Sequence, residues 1–280
     1  MSDTVAEIAE EAKNTKLDEK SKDLRRLVIQ GLQGAGKGHI GSALSLIEIA
    51  RVLYDHILNY RVEDPLWPQR DRFILSKGHG CLGLYAVLAD KGFIAKDELK
   101  TYSKQGSRLG GCCEELVPGI EATTGALGHG LSIGVGMAKG ALMRKRNNRV
   151  FVLLGDGEMG EGAIWEAALS ASKHNLKNLI ILIDNNKVQL AGYTKDISCF
   201  GSLADKWSSF GFEVKEVNGH DIKELENVLK EKPKAKPLVI ICHTVKGKGI
   251  SFAENDSEWH WKNKIDDGLV KQMVAALEDY

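Results

Sequence analysis

The apolar positions of this chain change their period once, near Pro68. From Leu24 to about Leu58 they recur at helical spacing, at Leu24, Leu27, Val28 and Gly31, then at Leu44, Ile47, Ile49, Leu53 and Ile57, with the glycine-rich QGAGKGHIG between. That spacing predicts two helices joined by a tight loop. Beyond Pro68 the apolar residues gather into short runs, RFIL, RVFVLLG, NLIILID and PLVIICHT. Each is closed by a polar or glycine-rich turn and separated from the next by a longer amphipathic stretch. Runs that are apolar at nearly every position, Val150 to Leu154 and Leu179 to Ile183, suit strands covered by helices on both faces. The alternation predicts an α/β fold on a mostly parallel sheet, with a ligand at the carboxyl ends of the strands. No internal repeat, low-complexity tract or proline-rich linker interrupts it, so residues 1–280 read as one domain. KEKPKAKP at 230–237 reads as a solvated turn ahead of the last strand.

Charge narrows the partners. Thirty-eight basic and 38 acidic side chains cancel, which removes the field that generic binding to nucleic acid or an anionic membrane would use. No apolar run approaches the ~20 residues of a bilayer span, and MSDTVAEIAEEAKNTKLDEKSK at the N-terminus lacks the apolar stretch of a secretory signal. A cytoplasmic protein with no nucleic-acid or membrane partner is expected. The odd count of five cysteines predicts reduced thiols.

Two glycine patterns invite a phosphate-binding reading. GLQGAGKG, from Gly31 to Gly38, fits seven positions of a P-loop, but Gly38 stands where a Ser or Thr should hold magnesium, and the preceding segment is helical rather than strand-like. GDGEMG, from Gly155 to Gly160, satisfies G-x-G-x-x-G after a strand, yet Asp156, Glu158 and Glu161 would repel a bare pyrophosphate. A divalent cation reverses that sign. Magnesium takes six hard oxygens and needs more than one segment to supply them, and the next apolar run ends in Asp184, Asn185 and Asn186. If those two strands are neighbours, Asp156 and an Asn amide oxygen meet at one sheet edge. Read separately, the segments are ordinary turns rich in Asp, Asn and Gly.

Taken together, a G-D-G and a paired Asn, each ending a buried strand, resemble the thiamine-diphosphate signature. The resemblance implies Asp156, the Asn186 side chain and the Val188 carbonyl as ligands of Mg2+, or of Ca2+ or Mn2+, with Gly155, Gly157 and Glu158 beside the diphosphate. KGHIGSALS from Lys37, DRFILSKGHG from Asp71, GIEATTGALGHGLSIGVGMA from Gly119, GDGEMGEGAIWEAA, and TVKGKGISFAENDSEWH ending at His260 extend it over nearly the whole chain. In that order they resemble the motifs of the transketolase family, specifically its diphosphate-binding N-terminal domain, as in transketolases encoded as two polypeptides. This implies a thiamine-diphosphate-binding fold and a subunit that helps move a two-carbon ketol unit from a ketose, in phosphorylated form, to an aldose. It also implies a C-terminal partner subunit carrying the pyrimidine-binding domain and the glutamate that activates the cofactor, with two copies of each chain in the assembly. Residues 1–280 alone are then not expected to turn over.

The same resemblance distributes the remaining roles. His39, His79 and His260 become the candidates for proton transfer, with His79 near the donor carbons and the thiazolium, and His39 and His260 facing the acceptor oxygen. Gly125 and Leu127 are expected against the aminopyrimidine, His129 and His260 beside the cofactor, and Glu161 at an interface between active sites, unless it only starts a helix. After RLGG the family usually has His-Pro, its histidine on the first-carbon hydroxyl of the donor. Here stand Cys112 and Cys113, and a thiol is a poor hydrogen-bonding replacement for imidazole. His56, His174, His220 and His243 match no motif and read as solvated or core residues. Two rival readings stay open. One is the α subunit of a 2-oxo acid dehydrogenase, against which the histidine motifs and TVKGKG argue; the other is a non-catalytic subunit that holds the cofactor.

Overall fold

The computed structural model describes residues 3–198, 200–231 and 235–280. Five parallel strands form the main sheet: β1 (Arg72–Leu75), β2 (Val150–Gly155), β3 (Leu179–Asn185), β6 (Glu213–Asn218) and β7 (Leu238–His243), in spatial order β1-β2-β3-β7-β6. A two-stranded antiparallel hairpin of β4 (Val188–Gln189) and β5 (Gly192–Tyr193) follows the carboxyl end of β3. The four apolar runs of the sequence are β1, β2, β3 and β7, and helices cover both faces. Because strand side chains alternate between faces, Phe151 and Leu153 enter one hydrophobic core while Val150, Val152 and Leu154 enter the other. The first core includes helices Glu19–Ala35, Cys81–Lys91 and Asp267–Glu278, and the second helices His129–Met143 and Gly162–Lys173.

The first predicted helix is Glu19–Ala35. Asp18 caps it by accepting the Ser21 backbone N–H at 2.8 Å, and Gly36 ends it in the left-handed conformation at φ 68°. GLQGAGKG therefore belongs largely to a helix C-terminus, and Gly34 is needed there because a β-carbon would collide with the Lys100 carbonyl. The second predicted helix is broken into Gly41–Leu44 and Ile47–Val52, then widens to π pitch over Leu53–Ile57. Strand β6, EVKEVN, has no counterpart among the apolar runs because it lies at a sheet edge with four of its six residues only half-buried, whereas β1 at the other edge is buried at three of four positions.

The expected turn at 230–237 falls partly on residues outside those described, as does Cys199. The other four cysteines are free thiols. Among the described residues no helix is long and apolar enough to cross a membrane.

Candidate cofactor site

Strands β2 and β3 are neighbours, with Gly155 paired to Asp184, so their carboxyl ends bring the two Asp/Asn-rich turns to one edge. Asp156, 3% exposed, is held by three donors: Gly157 N–H at 2.8 Å to Oδ1, and Lys187 N–H at 2.5 Å and the Thr194 hydroxyl at 3.2 Å to Oδ2. Lys187 lies between Asn186 and Val188 and has φ 67°. A non-glycine residue in the left-handed region is strained backbone of the kind that clusters at functional sites. Here it folds the two expected ligand positions of that segment, Asn186 and Val188, into one turn over Asp156. The donor set is a carboxylate, an amide oxygen and a carbonyl, all hard oxygen, which suits Mg2+ or Ca2+ rather than a thiophilic metal. The Val188 carbonyl already faces a cation, accepting the Lys246 ammonium at 2.7 Å.

Beneath this turn lies a charged hub. Asp184 is fully buried and accepts Ser45 Oγ at 2.6 Å, the Thr244 hydroxyl and the Lys77 ammonium. Burial alone would raise the Asp184 carboxyl, but Lys77 and the two hydroxyls hold it below its ordinary range. Asp156 goes the other way, raised to about 6 by burial and then by the charge of Asp184. Burial and then Lys77 draw the Lys246 ammonium down to about 8. Asp184 belongs to the oxygen-rich strand end that the sequence shows, whereas Lys77 and Lys246 are not marked as site residues there. A lysine is normally solvated, and the only available signal was their position beside the histidine and GKG motifs.

The three expected histidines converge from three distant segments. Ring centroids lie 5.3 Å apart for His39 and His79, 5.4 Å for His39 and His260, and 5.3 Å for His79 and His260. None is fully buried. Lys246 lies 2.9 Å from His260 Nδ1. An ammonium can only donate, so Nδ1 accepts and the ring proton sits on Nε2. His39 Nδ1 is buried without a partner, an orphaned polar atom that a ligand would satisfy. Trp261 packs edge-on against His39 at 4.5 Å.

Burial, then neighbouring cations, keeps these rings neutral. His39 is drawn to about 4 by burial and Lys246, His260 to about 3 by burial and Lys246, and His79 well below its ordinary value by burial and Lys77. In the unfolded chain the same rings protonate near pH 6.5. Acidification from pH 7.5 to 6 should therefore lower the unfolding free energy by about 1 kcal/mol per pH unit, because the unfolded state binds protons that the folded rings do not. Asp156 opposes this, as one group against three. Urea midpoints across that range check the prediction, and a midpoint that rises on acidification contradicts it.

The turns that carry the other expected residues pack against one another. Gly125 and Leu127 lie in the turn before helix His129–Met143; Thr124 Oγ1 donates to the Leu75 carbonyl at 2.8 Å, which ties that turn to β1. A β-carbon on Gly78 would lie 2.8 Å from the Gly125 nitrogen, so the turns carrying His79 and Gly125 pack backbone on backbone. A β-carbon on Gly125 would lie 3.0 Å from Cys112 Sγ, which puts the half-buried thiol on the same wall. His129 is exposed, its Nδ1 3.2 Å from the Leu127 carbonyl. Glu158, expected beside the diphosphate, turns its carboxylate into the fold and accepts Ser76 Oγ at 2.5 Å, Gly128 N–H at 2.8 Å and Gly155 N–H at 3.0 Å. It ties the ends of β1 and β2 to the Gly125 turn. Glu161 precedes helix Gly162–Lys173, and its side chain makes no capping bond. His56 lies 4.0 Å from Glu226 and His174 Nε2 lies 2.8 Å from Lys139, both on the surface. His220 and His243 are buried against carboxylates.

Comparison with known proteins identifies the family. Residues 18–276 match the family model described as "Transketolase, thiamine diphosphate binding domain". The chain is 46% identical over 266 residues to one of the subunits of the apulose-4-phosphate transketolase of Actinobacillus succinogenes, covering 94% of this chain and 95% of that protein. It is 40% identical to a 6-deoxy-6-sulfo-D-fructose transketolase subunit of Clostridium sp., covering 91% and 94%. The crystal structure of transketolase from Campylobacter jejuni superposes with a TM-score of 0.85 at 28% identity, covering 93% of this chain and 42% of that one, so the chain spans less than half of that enzyme's length. Sequence motifs, strand-end geometry and relatives agree, and the chain belongs to the transketolase family, corresponding to its thiamine diphosphate-binding domain.

Proposed function

We propose that this chain is the cofactor-holding half of a two-polypeptide enzyme that transfers a two-carbon ketol unit from a ketose, in phosphorylated form, to an aldose. The observation that carries this reading is the triangle of neutral imidazoles, 5.3–5.4 Å on each side, linked through Lys246 to an oxygen-bearing turn at the ends of β2 and β3. When bound, thiamine diphosphate supplies a nucleophilic carbon and an electron sink for cleaving the bond beside a ketose carbonyl. The chain's own residues do the rest. Asp156, Asn186 and the Val188 carbonyl would hold Mg2+ or a similar dication, and Gly155, Gly157, His129, Lys77 and Lys246 the diphosphate charge beside it. Gly125 and Leu127 would take the aminopyrimidine. His260 Nε2–H would donate to a sugar oxygen, and the unpartnered Nδ1 of His39 and the ring of His79, both neutral, would offer hydrogen-bonding partners to the hydroxyls that lose or gain a proton. Cys112, on the wall shared with Gly125, would meet the donor.

In this reading the chain is one diphosphate-binding domain, and a C-terminal partner subunit supplies the pyrimidine-binding domain, two copies of each assembling in the cytoplasm. The substrates named for the two relatives, apulose-4-phosphate and 6-deoxy-6-sulfo-D-fructose, lead the donor screen. The test is co-expression with the adjacent reading frame, then assay with thiamine diphosphate, Mg2+, a ketose panel and an aldose panel. Ketol transfer by the pair and none by the chain alone is the expected result. Brisk turnover by the chain alone overturns the partner, and carbon dioxide release from a 2-oxo acid without ketol transfer overturns the reaction.

A further inference from the structure

The turn that delivers Lys246 to the site is gripped from behind by a buried network that the chemistry above does not use. His220, 2% exposed, follows edge strand β6, and its Nε2 accepts the Val245 backbone N–H at 2.9 Å. That bond requires Nε2 to be bare, so the ring proton sits on Nδ1 and is donated to Glu48 Oε2 at 2.7 Å. Glu48 also takes both arms of Arg25, Nη1 at 2.6 Å and Nη2 at 3.0 Å. The Arg25 Nε closes the circuit by donating to the Lys248 carbonyl at 2.7 Å. Val245 and Lys248, the two ends of the turn, are thus fixed by one connected set of side chains, and Lys246 lies between them. Gly247 permits the tight path at φ 81°, where a β-carbon would meet the Ala253 carbonyl at 2.5 Å.

Stability does not explain why charged groups occupy this position. Buried ion pairs are commonly no more stabilising than apolar residues of the same volume, and their attested use is to fix geometry. Burial holds His220 below its ordinary range despite the adjoining carboxylate, which keeps the ring neutral and able to accept.

We infer that His220, oriented by Glu48 and Arg25, is a positioning residue that sets the Val245–Lys248 turn so that the Lys246 ammonium sits over the Val188 carbonyl and His260 Nδ1. The inference rests on the proposed cofactor site and assigns a role to a histidine outside every motif.

A double-mutant cycle on the co-expressed pair tests it. The affinity for thiamine diphosphate with Mg2+ is measured for the parent, His220→Leu, His220→Gln, Lys246→Met and the two combinations, with melting curves to establish folding. Gln can still offer an oxygen to the Val245 N–H, whereas Leu cannot. His220→Leu should weaken binding about tenfold, His220→Gln about threefold, and each less than about twofold once Lys246 is Met, because the two positions act through one another. Equal effects in both backgrounds, or none in the parent, overturn the inference. If His220→Leu does not fold, the Gln cycle decides by the same criterion. A parent that does not bind thiamine diphosphate instead refutes the proposed site itself.

Discussion

Asp156→Asn should weaken magnesium-dependent binding of thiamine diphosphate about 100-fold, equivalent to about 2.7 kcal/mol. Asp156 is the one carboxylate among the three expected ligands. Asn keeps one acceptor oxygen for the Lys187 and Thr194 donors and gives up only the bond from the Gly157 N–H, so the fold around it should survive while the charge does not. Removing a charge that burial and Asp184 already disfavour should leave the cofactor-free protein as stable as the parent, or more so. The two readouts therefore move apart: affinity falls while the melting temperature holds. A dication must displace the proton from Asp156. With that carboxyl at about 6, binding to the parent should weaken as pH falls below 6, and the weak binding of Asp156→Asn should show little of this dependence. Titrating the cofactor into each protein with Mg2+, and again with the metal chelated, checks this. Unchanged affinity in Asp156→Asn would sink the ligand assignment, and a collapsed melting temperature would make Asp156 a structural residue.

How much of this was legible in the sequence depended on whether a residue's environment follows from its neighbours along the chain. Strands β1, β2, β3 and β7 could be read because each is apolar at almost every position, and the runs β2, β3 and β7 bear the mark of burial on both faces. Strand β6 could not, because Glu213, Lys215 and Glu216 make an edge strand look like a solvated loop. Likewise the break at Ser45 and Leu46 has no local cue; the residue at the break, Ser45, donates its hydroxyl to Asp184, 139 residues away. At the site, Asp156 and Asn186 could be paired through adjacent strand ends. His39, His79 and His260 were found only because their motifs occur in a familiar order; nothing in their local sequence predicts a triangle. Lys77 and Lys246 escaped notice because a lysine in a glycine-rich turn is ordinarily in water. Glu158 is placed beside the diphosphate by the motif it belongs to, and only the fold reveals the three donors that turn its carboxylate inward.

Lys77→Met should destabilise the folded chain by about 3–5 kcal/mol, the usual cost of removing one partner from a buried ion pair. Lys77 is 1% exposed and Asp184 is fully buried, so the variant strands a carboxylate with only Ser45 and Thr244 to satisfy it. Pairing the change with Asp184→Leu removes both charges, and burying apolar groups of similar volume should restore most of the lost stability. Cofactor affinity should not return with it. The double variant lacks a cation at the end of β1 and has no Asp184 left to tie β3 to Ser45 and Thr244, which fix the floor beneath Asp156. Urea denaturation of the three variants, with thiamine diphosphate titrations on those that fold, separates the effects. Equal destabilisation of single and double variants would mean that shape, not charge, governs this hub. Recovery of both stability and affinity in the double variant would mean that the pair only fills space, and that the Lys77 charge is not used to hold the diphosphate.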